Sequence, residues 1–254
     1  MAKKNNIGRR PSGTPATGRR NATKTNTAGS EIDGDDELVN VVEVRDQGLD
    51  FFERNRNLIV GTVLAIVAVV VGIVIYQTFI KAPAEKNAAA YLQQAQSAFE
   101  RDSFSIALEG DALGNYGFLD IIDDFGSTKA GNLSQYYAAV SYLNLGKFEA
   151  AKEWATRFDA DGALLPAMKA GIIGDAESEL GNNAAAISNY NDAVDAAGEN
   201  YVTAGYYLNK LGQLYQKEGQ NDEALAAFRR LKQDYGRSPM AGEADKYIVM
   251  LEGE

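Results

Sequence analysis

The stretch from Leu58 to Ile80 (LIVGTVLAIVAVVVGIVIYQTFI) constrains the fold of this chain more than any other part of the sequence. Residues 58–75 include no charged side chain. A helix over the whole stretch would be about 34 Å long, which exceeds the roughly 30 Å of hydrocarbon in a bilayer. The stretch is apolar all round, whereas a surface helix of a soluble protein has a polar face. We therefore predict a transmembrane helix over residues 58–80.

Small residues recur along one side of this predicted helix. They are Gly61, Ala65, Ala68 and Gly72, and their spacing of three or four residues places them on one face. Small side chains let transmembrane helices approach each other closely. The stripe is therefore a candidate contact face for a partner helix. The alternative is a chance pattern, because Ala, Gly and Val dominate the span.

The composition disfavours catalysis. The 254 residues include no histidine and no cysteine, which removes disulfides, the Ser-His and Cys-His nucleophile pairs and most zinc sites. Asp123 and Asp124 are adjacent carboxylates, but the sequence places no second acid–base partner beside them. We expect no enzyme activity and no bound cofactor.

Charge is divided unevenly between the two sides of the span. Residues 1–57 carry 10 Lys and Arg against 9 Asp and Glu, whereas residues 58–254 carry 15 against 26, a net charge of −11. An acidic domain repels phosphate backbones. We expect no nucleic acid among the partners of the long domain.

Residues 1–37 are predicted to be a disordered tail, basic at first and then acidic, because they contain too few apolar side chains to offset the entropy of ordering. Its basic residues are Lys3, Lys4, Arg9, Arg10, Arg19, Arg20 and Lys24. They suit a tether to anionic lipid or ribosomal RNA, or simply a solvated tail. The acidic run at 31–37 is no calcium loop, since Ile32 interrupts it and Asn40 stands where a bidentate Glu is required.

Residues 38–57 have apolar side chains near helical spacing, with charged side chains between them. This pattern predicts a short amphipathic helix on the membrane surface, with Phe51 and Phe52 at the level of the lipid headgroups. Gly48 weakens the helix, and a partly ordered linker is the alternative.

Basic residues beside the span predict its orientation. Arg45, Arg54 and Arg56 precede it, whereas Lys81 and Lys86 follow it. The excess of Lys and Arg marks the cytoplasmic side, so we expect the N-terminus in the cytoplasm and residues 81–254 outside. Residues 82–84 (Ala-Pro-Ala) look like a cleavage site, but the span is too long for a cleaved signal and indicates a signal-anchor.

Three segments of the long domain align with one another around a glycine. Gly146, Gly181 and Gly219 are separated by 35 and 38 residues, and each is followed five residues later by an alanine (Ala151, Ala186 and Ala224). A glycine can end one helix in the left-handed conformation, and a small alanine lets the next helix pack closely. Each segment therefore predicts a helical hairpin.

These segments resemble the tetratricopeptide repeat, a helix–turn–helix unit of about 34 residues. Together with the predicted transmembrane helix, the resemblance implies an all-α chain in which this single helix is followed by a solenoid of α-α hairpins. The expected repeats cover about 85–126, 131–162, 166–198 and 204–236, with a capping helix over 239–251 and an interruption of the first repeat at 110–117.

The resemblance also implies a groove, because the first helices of such repeats line one concave face. The groove positions are Leu133, Tyr136, Val140, Met168, Asp175, Tyr206, Asn209 and Gln213. Tyr136, Met168 and Tyr206 are large and adaptable, which suits an extended or unfolded polypeptide. The alternative is that several of these residues only pack between hairpins.

The whole layout resembles the YfgM family, ancillary subunits of the SecYEG protein translocon. The resemblance covers about residues 38–251 and is carried by the order of the segments, by Phe51-Phe52-Glu53-Arg54-Asn55 before the span, and by the repeats. The basic tail of about thirty residues and the interruption at 110–117 are departures that such a family need not share.

That resemblance implies a single-pass protein of the bacterial inner membrane whose C-terminal domain is periplasmic. The implied partners are SecYEG, a periplasmic prolyl-isomerase-type membrane chaperone (PpiD-like), unfolded secretory polypeptides and the lipid bilayer. The implied function is that of an adaptor or chaperone. The alternative is a scaffold for another envelope assembly, such as outer-membrane protein insertion, cell-wall synthesis or secretion.

Overall fold

The computed structural model of the chain describes residues 45, 49 and 51–253. The predicted tail, residues 1–37, lies outside the described residues, as does most of the predicted juxtamembrane helix over 38–57. Residues 51–54 are helical, and the side chains of Phe51 and Phe52 are exposed.

The apolar stretch is helical. Helix α1 spans Arg56–Tyr76, a π-helical turn spans Gln77–Lys81, and α2 spans Ala82–Phe99. The boundary between the two structural units of the chain falls inside α1, between Ile66 and Val67. The most apolar part of this helical stretch has a mean hydropathy of 3.2 and no buried residue. By length and composition it can cross a membrane.

Helical hairpins follow. The helices are α3 (Phe104–Glu109), α4 (Phe118–Phe125), α5 (Lys129–Asn144), α6 (Phe148–Arg157), α7 (Leu165–Glu179), α8 (Asn183–Ala197), α9 (Tyr201–Lys217), α10 (Asn221–Asp234) and α11 (Ala241–Glu252). From α5 onward each helix packs against the next one in the chain. The described residues contain no β-strand. The prediction of an all-α chain, with one apolar helix before helical repeats, is confirmed.

The turn glycines end the first helix of three hairpins. Gly146, Gly181 and Gly219 have φ angles of 71°, 79° and 75°, a left-handed conformation that costs glycine little and other residues more. The residue after each glycine donates its N–H to a carbonyl five residues earlier, as Lys147 does to Tyr142 at 2.9 Å. This bond closes the helix end and turns the chain toward the second helix.

The small residues seven positions before two of these glycines bring paired helices close together. A Cβ on Gly174 would lie 2.8 Å from the ring of Tyr190, and one on Gly212 would lie 2.7 Å from the ring of Phe228. Each ring belongs to the second helix of the same hairpin. The aromatic side chain therefore fills the space that the missing Cβ leaves.

The buried side chains form one large cluster at each end of the repeats and a small one between them. The first includes Leu108, Phe118 and Ile121, and the last includes Tyr190, Leu208 and Phe228. The small cluster consists of Ala139, Ala155 and Ile172. The repeats are thus held together by neighbour-to-neighbour packing, as solenoids are. The boundaries predicted for the individual repeats remain predictions.

Candidate functional site

An open apolar pocket lies between the N-terminal parts of α7, α9 and α11. It has a volume of 310 Å³. Its lining is Leu164, Met168, Val202, Thr203, Tyr206, Tyr207, Pro239 and Met240. Leu164, Val202 and Tyr206 are 42%, 49% and 43% exposed. A contiguous exposed apolar surface of this kind marks a place where another molecule binds.

The two methionines suit this pocket to side chains of different shapes. Met168 and Met240 have unbranched, polarisable side chains that adapt to what they contact. The Tyr136 hydroxyl approaches the Met168 sulfur at 3.9 Å, so the α5 tyrosine borders the pocket through the methionine. Burial raises the pKa of Tyr136 to about 12.

A polar cleft of 230 Å³ adjoins the pocket further along α7 and α9. Its lining is Ser178, Tyr190, Lys210, Gln213, Leu214 and Lys217. Ser178, Tyr190 and Lys210 also line a neighbouring cavity of 480 Å³ that extends toward Asn144 at the end of α5.

A charged network in the wall of the polar cleft reaches Tyr206 of the apolar pocket. Lys210 Nζ lies 2.6 Å from Asp175 Oδ1, the Tyr190 hydroxyl donates to the same oxygen at 2.8 Å, and Lys210 Nζ lies 5.1 Å from the ring centroid of Tyr206. Burial alone would lower the pKa of Lys210, but the charge and hydrogen bond of Asp175, together with smaller contributions from Tyr206, outweigh it and raise the pKa. The ammonium group therefore stays charged at neutral pH.

The structure brings four of the predicted groove residues to this region in exposed or half-buried positions. Met168 and Tyr206 line the apolar pocket, Gln213 lines the polar cleft, and Asp175 lines the neighbouring cavity. Gln213 also donates to the Tyr247 hydroxyl at 3.3 Å.

The other predicted groove residues are half-buried or, in the case of Asn209, buried against the core. Leu133 packs against the first core cluster, and Val140 and Tyr136 pack against the small central cluster. Asn209 is 7% exposed and lies under Met240. The assignment of these residues to a binding groove stays a prediction.

Several residues of the pocket were not predicted from the sequence. Leu164, Val202 and Pro239 lie at or just before helix starts, outside the groove positions of the repeat. The repeat pattern could have predicted Met240, because Met240 lies 34 residues after Tyr206 and one tetratricopeptide repeat is about 34 residues long. Lys210 was also not predicted, although it directly follows Asn209, which is one of the predicted groove residues.

The predicted transmembrane contact face is open. Gly61, Ala65, Ala68 and Gly72 are all exposed. A Cβ added at Gly61 or Gly72 would meet nothing within 4 Å among the described residues. These positions have room for a neighbouring helix.

Comparison with known proteins supports the repeat fold. Residues 208–238 match the family model of the tetratricopeptide repeat. They cover most of α9, all of α10 and the link toward α11. The curated proteins include no significant match to this chain. Tetratricopeptide repeats are protein-interaction modules, so the match over residues 208–238 indicates a protein-interaction module.

Proposed function

We propose that this protein is a membrane-anchored adaptor whose repeats hold extended stretches of unfolded polypeptide. The observation that carries the proposal is the apolar pocket, in which Met168 and Tyr206 meet Leu164, Val202 and Met240. An extended chain could place one apolar side chain there while its backbone runs over the polar cleft. The proposed role is passive binding without catalysis.

We further propose that the protein acts beside the SecYEG translocon in the bacterial inner membrane, together with a PpiD-like chaperone. The resemblance of the layout to the YfgM family supports this placement. Arg45, Arg54 and Arg56 before the span favour a cytoplasmic N-terminus and a periplasmic repeat domain. Secretory chains would then meet the repeats as they leave the pore.

Affinity purification in mild detergent tests the assigned partners. Co-purification of SecY and the PpiD-like chaperone is expected. Recovery of outer-membrane assembly, cell-wall or secretion factors without SecY would instead support a scaffold of another envelope assembly and would refute the translocon assignment.

Protease protection in spheroplasts and inverted vesicles tests the topology. Residues 81–254 should be digested in spheroplasts, in which the periplasmic face is open, and protected in inverted vesicles. Digestion in inverted vesicles would contradict the proposed orientation.

Binding of a permanently unfolded protein to the full chain in lipid nanodiscs tests the pocket. Tyr206→Ser and Met168→Ser should each weaken binding about tenfold, since each removes part of the apolar surface that a side chain would cover. Val249→Ser is the matched control, because Val249 is 72% exposed on α11 and does not line the pocket. Equal affinities for all variants would refute the assignment of the pocket.

A further inference from the structure

The apolar helix enters the repeats without a linker. Residues 67–254 form one structural unit, and within it α1 continues through the π-helical turn into α2. Pro83, in the first turn of α2, has no N–H to donate to the helix. The preceding turn stays closed because the Ala82 N–H donates to the Gln77 carbonyl, five residues earlier, as in a π-helix. The chain is therefore helical across the junction.

Helix α2 is also part of the first repeat. Ala88, Leu92 and Ala95 are buried in the first core cluster. The Glu85 carboxylate accepts the Lys129 N–H at 3.0 Å, and this bond fastens the first turn of α2 to the first residue of α5. The helix that leaves the apolar stretch is thus fixed to the start of α5.

This attachment places the start of α5 next to the bilayer. Glu85 lies five residues beyond Ile80, the last residue of the predicted span, which corresponds to about 7–8 Å along a helix. The headgroup layer on each side of the hydrocarbon is about 5–8 Å thick. When the apolar stretch crosses the hydrocarbon, Glu85 and Lys129 therefore lie at the outer boundary of the headgroups.

Lysine side chains gather at this level. Lys81, Lys86 and Lys129 are exposed, and none of them forms an ion pair with another described residue. Residues 58–254 carry a net charge of −11, so these lysines differ in charge from the domain as a whole. They form a basic edge on an acidic domain.

We infer that the basic edge, Lys81, Lys86 and Lys129, binds the phosphates of anionic lipid headgroups and holds the first repeat against the membrane. This inference rests on the membrane anchoring in the proposed function, but not on polypeptide binding or on the orientation of the span. Lysines near a bilayer surface are attracted to anionic lipid. Lys129 lies 49 residues after Ile80 in the sequence, and only its bond to Glu85 places it at the headgroups.

Acidic side chains border the basic edge and limit the contact. Asp123 and Asp124 are exposed near the end of α4, and Asp159 and Asp161 are exposed between α6 and α7. The Asp159 N–H donates to the Asn132 side chain at 3.0 Å, so this acidic segment lies beside the first turn of α5. Carboxylates repel anionic headgroups, so the contact is confined to the lysines next to the span.

The test uses the full chain in lipid nanodiscs with one introduced cysteine, since the sequence has none of its own. A fluorophore on Ser127→Cys, beside Lys129, should be quenched by phosphatidylglycerol that carries a quencher on its acyl chain. The same fluorophore on Asn144→Cys, at the other end of α5 and about 22 Å from Lys129, should be quenched far less. Equal quenching at the two positions would overturn the inference.

Replacing one lysine separates headgroup recognition from proximity alone. Lys129→Gln should raise the fraction of quencher lipid needed for half-maximal quenching of the Ser127→Cys probe about fivefold, because one lysine near the surface is lost. Lys147→Gln is the matched control, since Lys147 is exposed between α5 and α6, and it should leave that fraction unchanged. An unchanged fraction in Lys129→Gln, or equal quenching of the wild-type edge by phosphatidylcholine with the same quencher, would overturn the inference.

Carbonate extraction of the full chain from liposomes distinguishes this inference from the proposed function. The chain should resist extraction. If carbonate removes it, the membrane anchoring in the proposed function fails as well. If the chain resists extraction and the Ser127→Cys probe is not quenched, only the headgroup contact is wrong.

Discussion

Lys210 donates to Asp175 across 2.6 Å and thereby ties α9 to α7 beside the apolar pocket. The side chains of Lys210 and Asp175 are 28% and 19% exposed, so this ion pair is shielded from water on most sides. The Tyr190 hydroxyl donates to the same carboxylate. Together these bonds link two hairpins. Removing one charge of the pair would leave the other shielded from water without a counter-charge, which destabilises the fold.

Removing the lysine should therefore destabilise the repeats. Lys210→Met is expected to lower the free energy of unfolding by about 2 kcal/mol, because the Asp175 carboxylate loses its counter-charge. Adding Asp175→Asn should recover most of that loss, since Asn keeps an acceptor for Tyr190 without a charge. Urea unfolding of the two single variants and the double variant measures the coupling. Losses that simply add would show that the pair has no role in stability.

Gly212 should tolerate no side chain. Gly212→Ala is expected to cost about 1–3 kcal/mol through overpacking, because its Cβ would meet the ring of Phe228 at 2.7 Å and that ring is stacked on Tyr247. This loss should exceed the gain of about 1 kcal/mol in helix propensity.

Gly242→Ala is the control for this prediction, since no atom of the described residues lies within 4 Å of the Cβ that it would add. It should leave stability unchanged or raise it slightly. Thermal unfolding of both variants is the measurement, and a stabilised Gly212→Ala would contradict the packing argument.

Alkaline pH should unfold the repeats through buried tyrosines. Burial raises the pKa of Tyr136, Tyr190 and Tyr207 above the ordinary value of 10.0, and the charge of Asp175 adds to the effect at Tyr190 and Tyr207. The stability that these neutral hydroxyls contribute is complete below pH 10, where the unfolded tyrosines are also neutral. It is lost as the pH rises toward the folded pKa values, because the unfolded chain ionises first.

Urea midpoints measured from below pH 10 to about pH 12 test this expectation. Tyr136→Phe and Tyr207→Phe should each make the decline with pH shallower, since each removes one group that ionises on unfolding. If the urea midpoint declines with pH equally steeply in both variants and the wild type, the alkaline unfolding is caused by groups other than Tyr136 and Tyr207.

The small-residue face of the apolar helix should matter for assembly and not for insertion. Gly61→Leu combined with Gly72→Leu keeps the stretch apolar, so membrane extraction with carbonate should give the same result as for the wild type. Because leucine would fill the open space at both positions, co-purification of the membrane partner should fall. Val63→Leu with Val70→Leu is the matched control. Unchanged partner recovery in the glycine variant would make the helix an anchor only.

The sequence predicted the parts of the fold that short-range rules control. Gly146, Gly181 and Gly219 adopt the left-handed turns that their spacing indicated, and Ala151, Ala186 and Ala224 are buried where the second helix of each hairpin packs. Those features depend on a turn type or on the distance between two adjacent helices, which local sequence specifies.

The details of the site depend on contacts between residues far apart in the sequence. Asn209 was expected in an open groove, but it is buried, and its Nδ2 atom contacts the sulfur of Met240, which directly precedes α11. The role of Lys210 was not predicted from the sequence, because its ion-pair partner, Asp175, lies one repeat earlier. The pocket itself exists only where the starts of three helices meet, and no single repeat contains that information.

Site-specific photo-crosslinking in growing bacteria tests the central claim most directly. A photoreactive amino acid in place of Tyr206 should form adducts with newly made secretory polypeptides, and the same amino acid in place of Val249, exposed outside the pocket, should form few. Arrest of secretory chains in the translocon should increase the Tyr206 adducts. Equal adducts at both positions, or none at Tyr206, would contradict a polypeptide-binding pocket beside the translocon.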